Sequence, residues 1–232
     1  MKGGKKLSLP RRIFKFFKYR TLKLLIFRKD RPTLHKIYDN YFLILPNVFH
    51  PKLYNTSVYF AKSMEKANIK EDDSVLEIGT GSGIGAVFAA RYSKHVIATD
   101  INPFAVRAAR INSILNNLQD RIDVRLGNMF EPTANEKFDL ILYHPPFYIG
   151  KPTDWHETAF KGGEKDHVCH IFFRNVSKYL KPNGRVRMLW STMADYEDME
   201  KELEENNLTI TGIEKKDAVT EILYIYEFKR KN

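Results

Sequence analysis

The sequence predicts an α/β fold in which five parallel strands and a C-terminal antiparallel hairpin share one sheet, with helices on both faces. Three observations predict it. Short apolar runs alternate with segments of helical apolar spacing from residue 52 onward; a glycine-rich turn joins the first such run to its helix; and the last two runs are joined by a link too short for a helix. A strand that returns parallel to its predecessor needs a crossover of a dozen or so residues, whereas a hairpin does not, so the final pair is antiparallel.

Taken in order, Asn55 to Lys66 carries apolar residues at helical spacing, and Ile69-Lys70-Glu71-Asp72-Asp73 makes a polar turn. Strands are predicted at Ser74–Ile78, Val96–Asp100, Ile122–Leu126, Phe138–Tyr143 and Arg185–Trp190, and helices at Ile84–Arg91, Phe104–Asn116 and Asp166–Leu180. Lys181-Pro182-Asn183-Gly184 reads as the turn that ends the last of these helices. The chain then continues with a helix at Tyr196–Glu205 and strands Leu208–Glu214 and Glu221–Lys229, joined by Lys215–Thr220.

The 232 residues suffice for one substantial core plus an appendage, and 43% apolar with 28% charged residues is globular composition. The single cysteine, Cys169, excludes an internal disulfide and points to a reducing, cytoplasmic setting. The formal charge of +10 is unevenly spread. Residues 1–36 hold thirteen Lys or Arg against one acid, Asp30, a net +12, so the remaining 196 residues carry −2. The basic character therefore belongs to an arm, set at residues 1–48, and the folded domain to 49–232. Wound as a helix, the arm gathers Ile13, Phe14, Phe16, Phe17, Leu24, Leu25 and Phe27 on one broad face, with Arg11, Arg12, Lys15 and Lys18 largely opposite. Its apolar run Leu24–Phe27 is too short for a secretory or membrane-spanning segment.

In Val75-Leu76-Glu77-Ile78-Gly79-Thr80-Gly81-Ser82-Gly83, the glycines stand where a strand ends and a helix begins, so a ligand can approach the main-chain N–H groups closely. A dinucleotide fingerprint would place its third glycine at position 84, which is Ile84. The tighter spacing suits a ligand without pyrophosphate, such as the methionine and ribose parts of S-adenosylmethionine. Asp100, 21 residues after Gly79 at the end of the next strand, can accept hydrogen bonds from both ribose hydroxyls, and Ile101 can pack on an adenine face.

Together with Asp100-Ile101-Asn102-Pro103 and His144-Pro145-Pro146-Phe147, this segment resembles class I methyltransferases, within them the small-methyltransferase group of release-factor glutamine and rRNA N-methyltransferases, over about residues 49–190. The resemblance implies a Rossmann-like methyltransferase sheet. It also implies S-adenosylmethionine as cofactor, with Glu77 near its methionine end, Gly79, Thr80, Gly81 and Gly83 in the loop along it, Asp100 on the ribose, and Asn128 and Met129 beside adenine. Asn128 stands where the group often has Asp. In the group, Asn or Asp precedes Pro-Pro and an aromatic residue, and accepts hydrogens from the acceptor nitrogen while the ring stacks on its plane. Here His144 takes that place, ahead of Pro145, Pro146 and Phe147, as the catalytic candidate; a histidine that merely packs is the alternative. Val48-Phe49-His50-Pro51 and Thr56 resemble the segment that covers the methionine moiety, with Thr56 one position late and Asn55 or Thr56 also readable as a helix N-cap. Ala159–Glu164, with Gly162 and Gly163, resembles the glycine pair after the Pro-Pro loop.

Other patterns lead elsewhere. His167-x-Cys169-His170 lacks a second ligand pair at zinc-like spacing, so no metal is expected. Trp155, His156, Tyr143 and Tyr148 read as core or as a substrate wall, and Lys178, Lys181 and Arg185 as a solvated face. The expected activity is methyl transfer to nitrogen on RNA or protein, the arm contacting the macromolecule. Alternatives are a small-molecule acceptor with the arm as a lid, and a cofactor-binding scaffold without catalysis. A basic amphipathic arm also suits self-association or an anionic membrane surface.

Overall fold

The computed structural model describes residues 31–51, 55–164, 167–194, 199–218 and 221–231. The expected helix within the basic arm lies outside these residues, as do Tyr196, Glu197 and Asp198 of the helix expected at Tyr196–Glu205.

Seven strands form one sheet: β3 (Ser74–Ile78), β4 (His95–Asp100), β5 (Ile122–Leu126), β6 (Phe138–Tyr143), β7 (Leu180–Ser191), β8 (Leu208–Asp217) and β9 (Ile222–Arg230). Their spatial order is β5-β4-β3-β6-β7-β9-β8. The strands β3 to β7 run parallel, and β9 inserts antiparallel between β7 and β8. This is the sheet the sequence predicts. Its helices are α1 (Thr56–Lys62), α2 (Ile84–Ala89), α3 (Pro103–Leu115), α4 (Val168–Tyr179) and α5 (Met199–Glu205).

The central strands are apolar on both sides because both faces are covered. On one face Val75, Val96, Val124, Leu140 and Leu142 pack with Ala86, Val87 and Phe88 of α2 and Phe60 of α1. On the other, Leu76, Ile78, Ile141 and Met188 pack with Phe172, Phe173 and Val176 of α4 and Leu203 of α5. The chain runs from β3 outward to β5, then returns to lay β6 on the opposite side of β3. The order of strands thus reverses between β3 and β6, which opens a crevice at their C-terminal ends.

Two local expectations are corrected. The described part of the arm, residues 31–48, is a hairpin and not a helix: β1 (Thr33–Ile37) pairs antiparallel with β2 (Asn40–Ile44). Ile37, Phe42 and Ile44 are buried in the same core as α2, so the folded unit reaches back to about residue 33 and the boundary at 48 falls inside it. The hairpin docks on α3 through two amides one helical turn apart. Asn112 accepts from Leu43 N–H (2.7 Å) and donates to Leu43 C=O (3.0 Å). Asn116 does the same for Tyr41, at 2.9 and 2.8 Å. Four helical residues rise about 6 Å and two strand residues about 6.8 Å, so the side chains of α3 imitate a neighbouring strand.

The second correction concerns Lys181-Pro182-Asn183-Gly184, which does not separate helix from strand. β7 begins at Leu180, opposite Phe138, and the pairing then jumps to Arg185 opposite Leu140, so the tetrapeptide is a bulge inside the strand. A Cβ on Gly184 would lie 2.5 Å from Phe138 O, which only glycine avoids. Lys181 and Arg185 are not simply solvated: Lys181 Nζ reaches Asp139 (2.6 Å), and Arg185 donates to Ala67 C=O.

Candidate active site

The C-terminal ends of β3, β4 and β6, with the loops that follow them and β5, enclose a cleft of about 350 Å³. Its floor is the turn between β3 and α2. Gly79 (φ 68°) and Gly81 (φ 56°) are left-handed, and a Cβ on either would meet nothing within 4 Å, since the space above them is the cleft. Gly83 (φ 79°) caps α2 and faces away, with a Cβ there only 3.0 Å from Ala109. It brings α2 against α3 and does not line the cleft.

Beneath this turn lies the buried carboxyl of Glu77. Thr80 Oγ1 donates to it at 2.5 Å and Ala86 N–H at 2.7 Å, while burial outweighs these bonds and pushes its pKa up to about 7. Gly85 makes this possible, because a Cβ there would overlap Glu77 Oε1 at 2.0 Å. Asp100 ends β4; its Oδ2 accepts from Gly81 N–H (2.8 Å) and its Oδ1 from Asn102 N–H (2.9 Å). Burial raises its pKa to about 6. Each oxygen keeps a lone pair that can take a hydroxyl. Ile101, 48% exposed, presents an apolar surface beside it. Asn128 and Met129 form the next wall, stitched to β4 through Thr99 Oγ1 to Met129 C=O (3.2 Å) and Gly127 N–H to Asp100 C=O (3.0 Å).

Across the crevice, His144 follows β6. Its ring lies among Phe49, Phe60 and Phe147, with centroids 6.1, 6.1 and 5.4 Å away, and Nδ1 is 3.4 Å from Ser57 Oγ. Desolvation lowers its pKa to about 4, so the ring is neutral at physiological pH. A neutral imidazole held through Nδ1 can offer Nε2 as an acceptor.

The structure therefore brings Glu77, Gly79, Thr80, Gly81, Asp100, Ile101, Asn128, Met129, His144 and Pro146 to the cleft wall. Gly83, Pro145, Phe147, Pro51 and Thr56 are not on it. Phe147 backs His144, and Thr56 is buried while its neighbour Ser57 faces the cleft. Asn55 precedes α1 at φ 55° and makes no side-chain cap.

Several lining residues carried no separate signal. Ser57 and Phe60 reach His144 from far upstream, beside Phe49, which the resemblance of Val48–Pro51 had marked. Asn102 caps α3 by accepting from Phe104 N–H (2.9 Å), and its amide donates to Asn47 C=O (2.8 Å) and Trp155 C=O (3.5 Å). It thus ties the N-terminal loop and the loop after Phe147 to the end of β4. Its place in Asp100-Ile101-Asn102-Pro103, ahead of a helix-starting proline, was the available clue.

The doubly wound sheet with its glycine turn and strand-end acid is the architecture of class I methyltransferases. A crystal structure of the ribosomal protein L11 methylase from Lactobacillus delbrueckii subsp. bulgaricus superposes with a TM-score of 0.60 at 25% identity, covering 82% of this chain and 84% of that one. The chain belongs to the methyltransferase small domain family, which matches residues 39–218. That match also begins within the hairpin. A bifunctional methyltransferase of Rickettsia typhi is 31% identical over 137 residues, 54% of this chain and 26% of that protein. The release factor glutamine methyltransferase of Aquifex aeolicus is 30% identical over 149 residues, 57% of this chain and 51% of that one. The chain thus spans about a quarter to a half of these relatives' lengths.

Among the described residues, no helix is long and apolar enough to cross a membrane.

Proposed function

We propose that this protein transfers a methyl group from S-adenosylmethionine to a nitrogen of an RNA or protein acceptor. The observation that carries the reading is a cleft with a glycine floor and Asp100 at one end and a neutral His144 at the other. The cofactor fits these residues: Gly79 and Gly81 leave open floor, Asp100 has acceptor capacity for two hydroxyls, and Ile101 and Met129 give apolar surface for a base. When bound it supplies an electrophilic methyl on a sulfonium.

Glu77 holds the glycine turn in shape through Thr80 and Ala86 and places negative charge under the site. Asp100 and Asn128-Met129 orient the adenosine end. His144, in the tautomer whose Nδ1–H donates to Ser57 Oγ, accepts a hydrogen of the incoming nitrogen at Nε2 and aims its lone pair. Phe49 and Phe60 keep water from the ring, and Pro145-Pro146 fix its backbone. Holding the nucleophile in line and desolvated is most of what such a displacement requires of a protein.

The likeness to a release factor glutamine methyltransferase supports a macromolecular acceptor, and the +12 segment at residues 1–36 suits an anionic one. His144 in place of an amide favours a second reading, a small-molecule acceptor. Labelled methyl transfer to cell extract separated into RNA, protein and metabolites decides between them. Label in RNA or protein is expected, and label confined to metabolites would establish the second reading. Deleting residues 1–30, which spares the hairpin, should leave cofactor affinity within about twofold while weakening binding of an RNA acceptor in a salt-dependent manner.

A further inference from the structure

We propose that Lys161 binds the carboxylate at the amino-acid end of the cofactor; this rests on the methyltransferase reading above. Lys161 is the one Lys or Arg among the described residues that line the cleft, whose other charged members are Glu77 and Asp100. Among the described residues, a cofactor with an ammonium, a sulfonium and a carboxylate finds two anionic partners there and one cation. A carboxylate taken into a partly enclosed site needs a cation or several N–H donors.

The fold also puts that cation at the appropriate end. In the sheet order β5-β4-β3-β6, Asp100 and Asn128-Met129 stand beyond β4 and β5, so the adenosine end lies on that side and the amino-acid end toward β6. Lys161 is anchored on the β6 side. Tyr148 N–H donates to Phe160 C=O (2.8 Å) and Gly162 N–H to Tyr148 C=O (3.0 Å), which clasps the backbone on both sides of Lys161 to the loop that follows His144-Pro145-Pro146-Phe147.

The side chain is held ready. Its Nζ is 2.9 Å from Glu157 Oε2, and that same oxygen accepts from Thr153 N–H (2.9 Å) and Thr153 Oγ1 (2.8 Å). Glu157 is therefore fixed by its own loop, and Lys161, 34% exposed, retains donors for a second anion. The aliphatic stem passes Gly150, where a Cβ would lie 3.6 Å from Lys161 Cδ.

The test compares two ligands that differ in the amino-acid end. S-adenosylhomocysteine carries the carboxylate and 5′-methylthioadenosine does not. Calorimetry on the full chain should show that Lys161→Met weakens S-adenosylhomocysteine at least about tenfold and leaves 5′-methylthioadenosine within about twofold, with Lys161→Arg restoring most of the loss. Equal weakening of both ligands, or of neither, overturns the assignment. If wild-type protein binds neither ligand, it is the methyltransferase reading that fails.

Discussion

Glu77 and Asp100 are carboxyls held in the cleft at pKa values of about 7 and about 6, both raised by burial. A carboxyl whose folded pKa is raised binds its proton more tightly when folded, so its contribution to stability is present at low pH and is lost as pH rises through the folded value. The unliganded protein should accordingly melt at a higher temperature at pH 6.5 than at pH 8. Glu77→Gln should flatten that difference in a thermal scan; an unchanged slope would show that Glu77 is already ionised throughout. His144 has the opposite sign, since its pKa is lowered to about 4: its contribution is intact above about 6.5 and is lost as pH falls toward 4. The ring resonances of His144 should for this reason stay unchanged between pH 6 and pH 8, and a titration midpoint near 6.5 at that ring would contradict a His144 that is neutral in the site. His144→Ala should lower kcat by about a hundredfold, the usual size of such a group's contribution. At this scale the acids and the histidine were legible in the sequence, because each sits at a strand end at a fixed offset within a motif. Ser57 was not, because it meets His144 across 87 residues and only the packing of α1 against β6 brings them together.

The turn between β3 and α2 divides its glycines by task. Gly79 and Gly81 open onto the cleft, whereas Gly83 and Gly85 face Ala109 and Glu77. Gly85→Ala must displace the Glu77 carboxyl from its two donors, and a loss of about 2 kcal/mol or more in urea unfolding is expected. Gly81→Ala adds a methyl into open space at positive φ, so it should reduce ligand affinity at least tenfold for a stability cost of about 1 kcal/mol. Measured together, the two variants separate fold from site; equal effects on both readouts would remove the division. Element by element, the periodic signal located β3, β5 and β6 to the residue: β3 and β6 are mostly apolar runs bounded by polar turns because both their faces are covered, whereas β5, at the sheet's edge, alternates buried Ile122 and Val124 with the more exposed Asp123 and Arg125. It missed the β1–β2 hairpin, whose Thr33–Ile44 stretch is short, half exposed and adjacent to a basic segment that dominates the local composition. Phe42 tests that hairpin's membership of the core: it is fully buried, and Phe42→Ala should cost about 3–5 kcal/mol.

Across the molecule, one crevice is assembled from segments that lie far apart in the chain, and Asn102 is the point where three of them meet. Removing it as Asn102→Ala should cost about 1 kcal/mol for the lost cap and raise amide exchange near Asn47 and Trp155 together, which independent loops would not do. The directions of the strands were legible from link lengths, because parallel returns require crossovers and hairpins do not, whereas their order in the sheet, with β9 between β7 and β8, was not. The long-range ties were invisible, since nothing local marks an asparagine on α3 as a partner of β2. Those same amides have a colloidal consequence. A strand with an open edge is a template on which a second molecule can add, and Asn112 and Asn116 occupy that edge with groups that cannot propagate a ladder. Asn116→Ala would bare the backbone of Tyr41 while sparing Asn112, whose amide also holds Ser82 C=O in the glycine turn, so its first symptom should be turbidity at high protein concentration, ahead of any loss of methyl transfer.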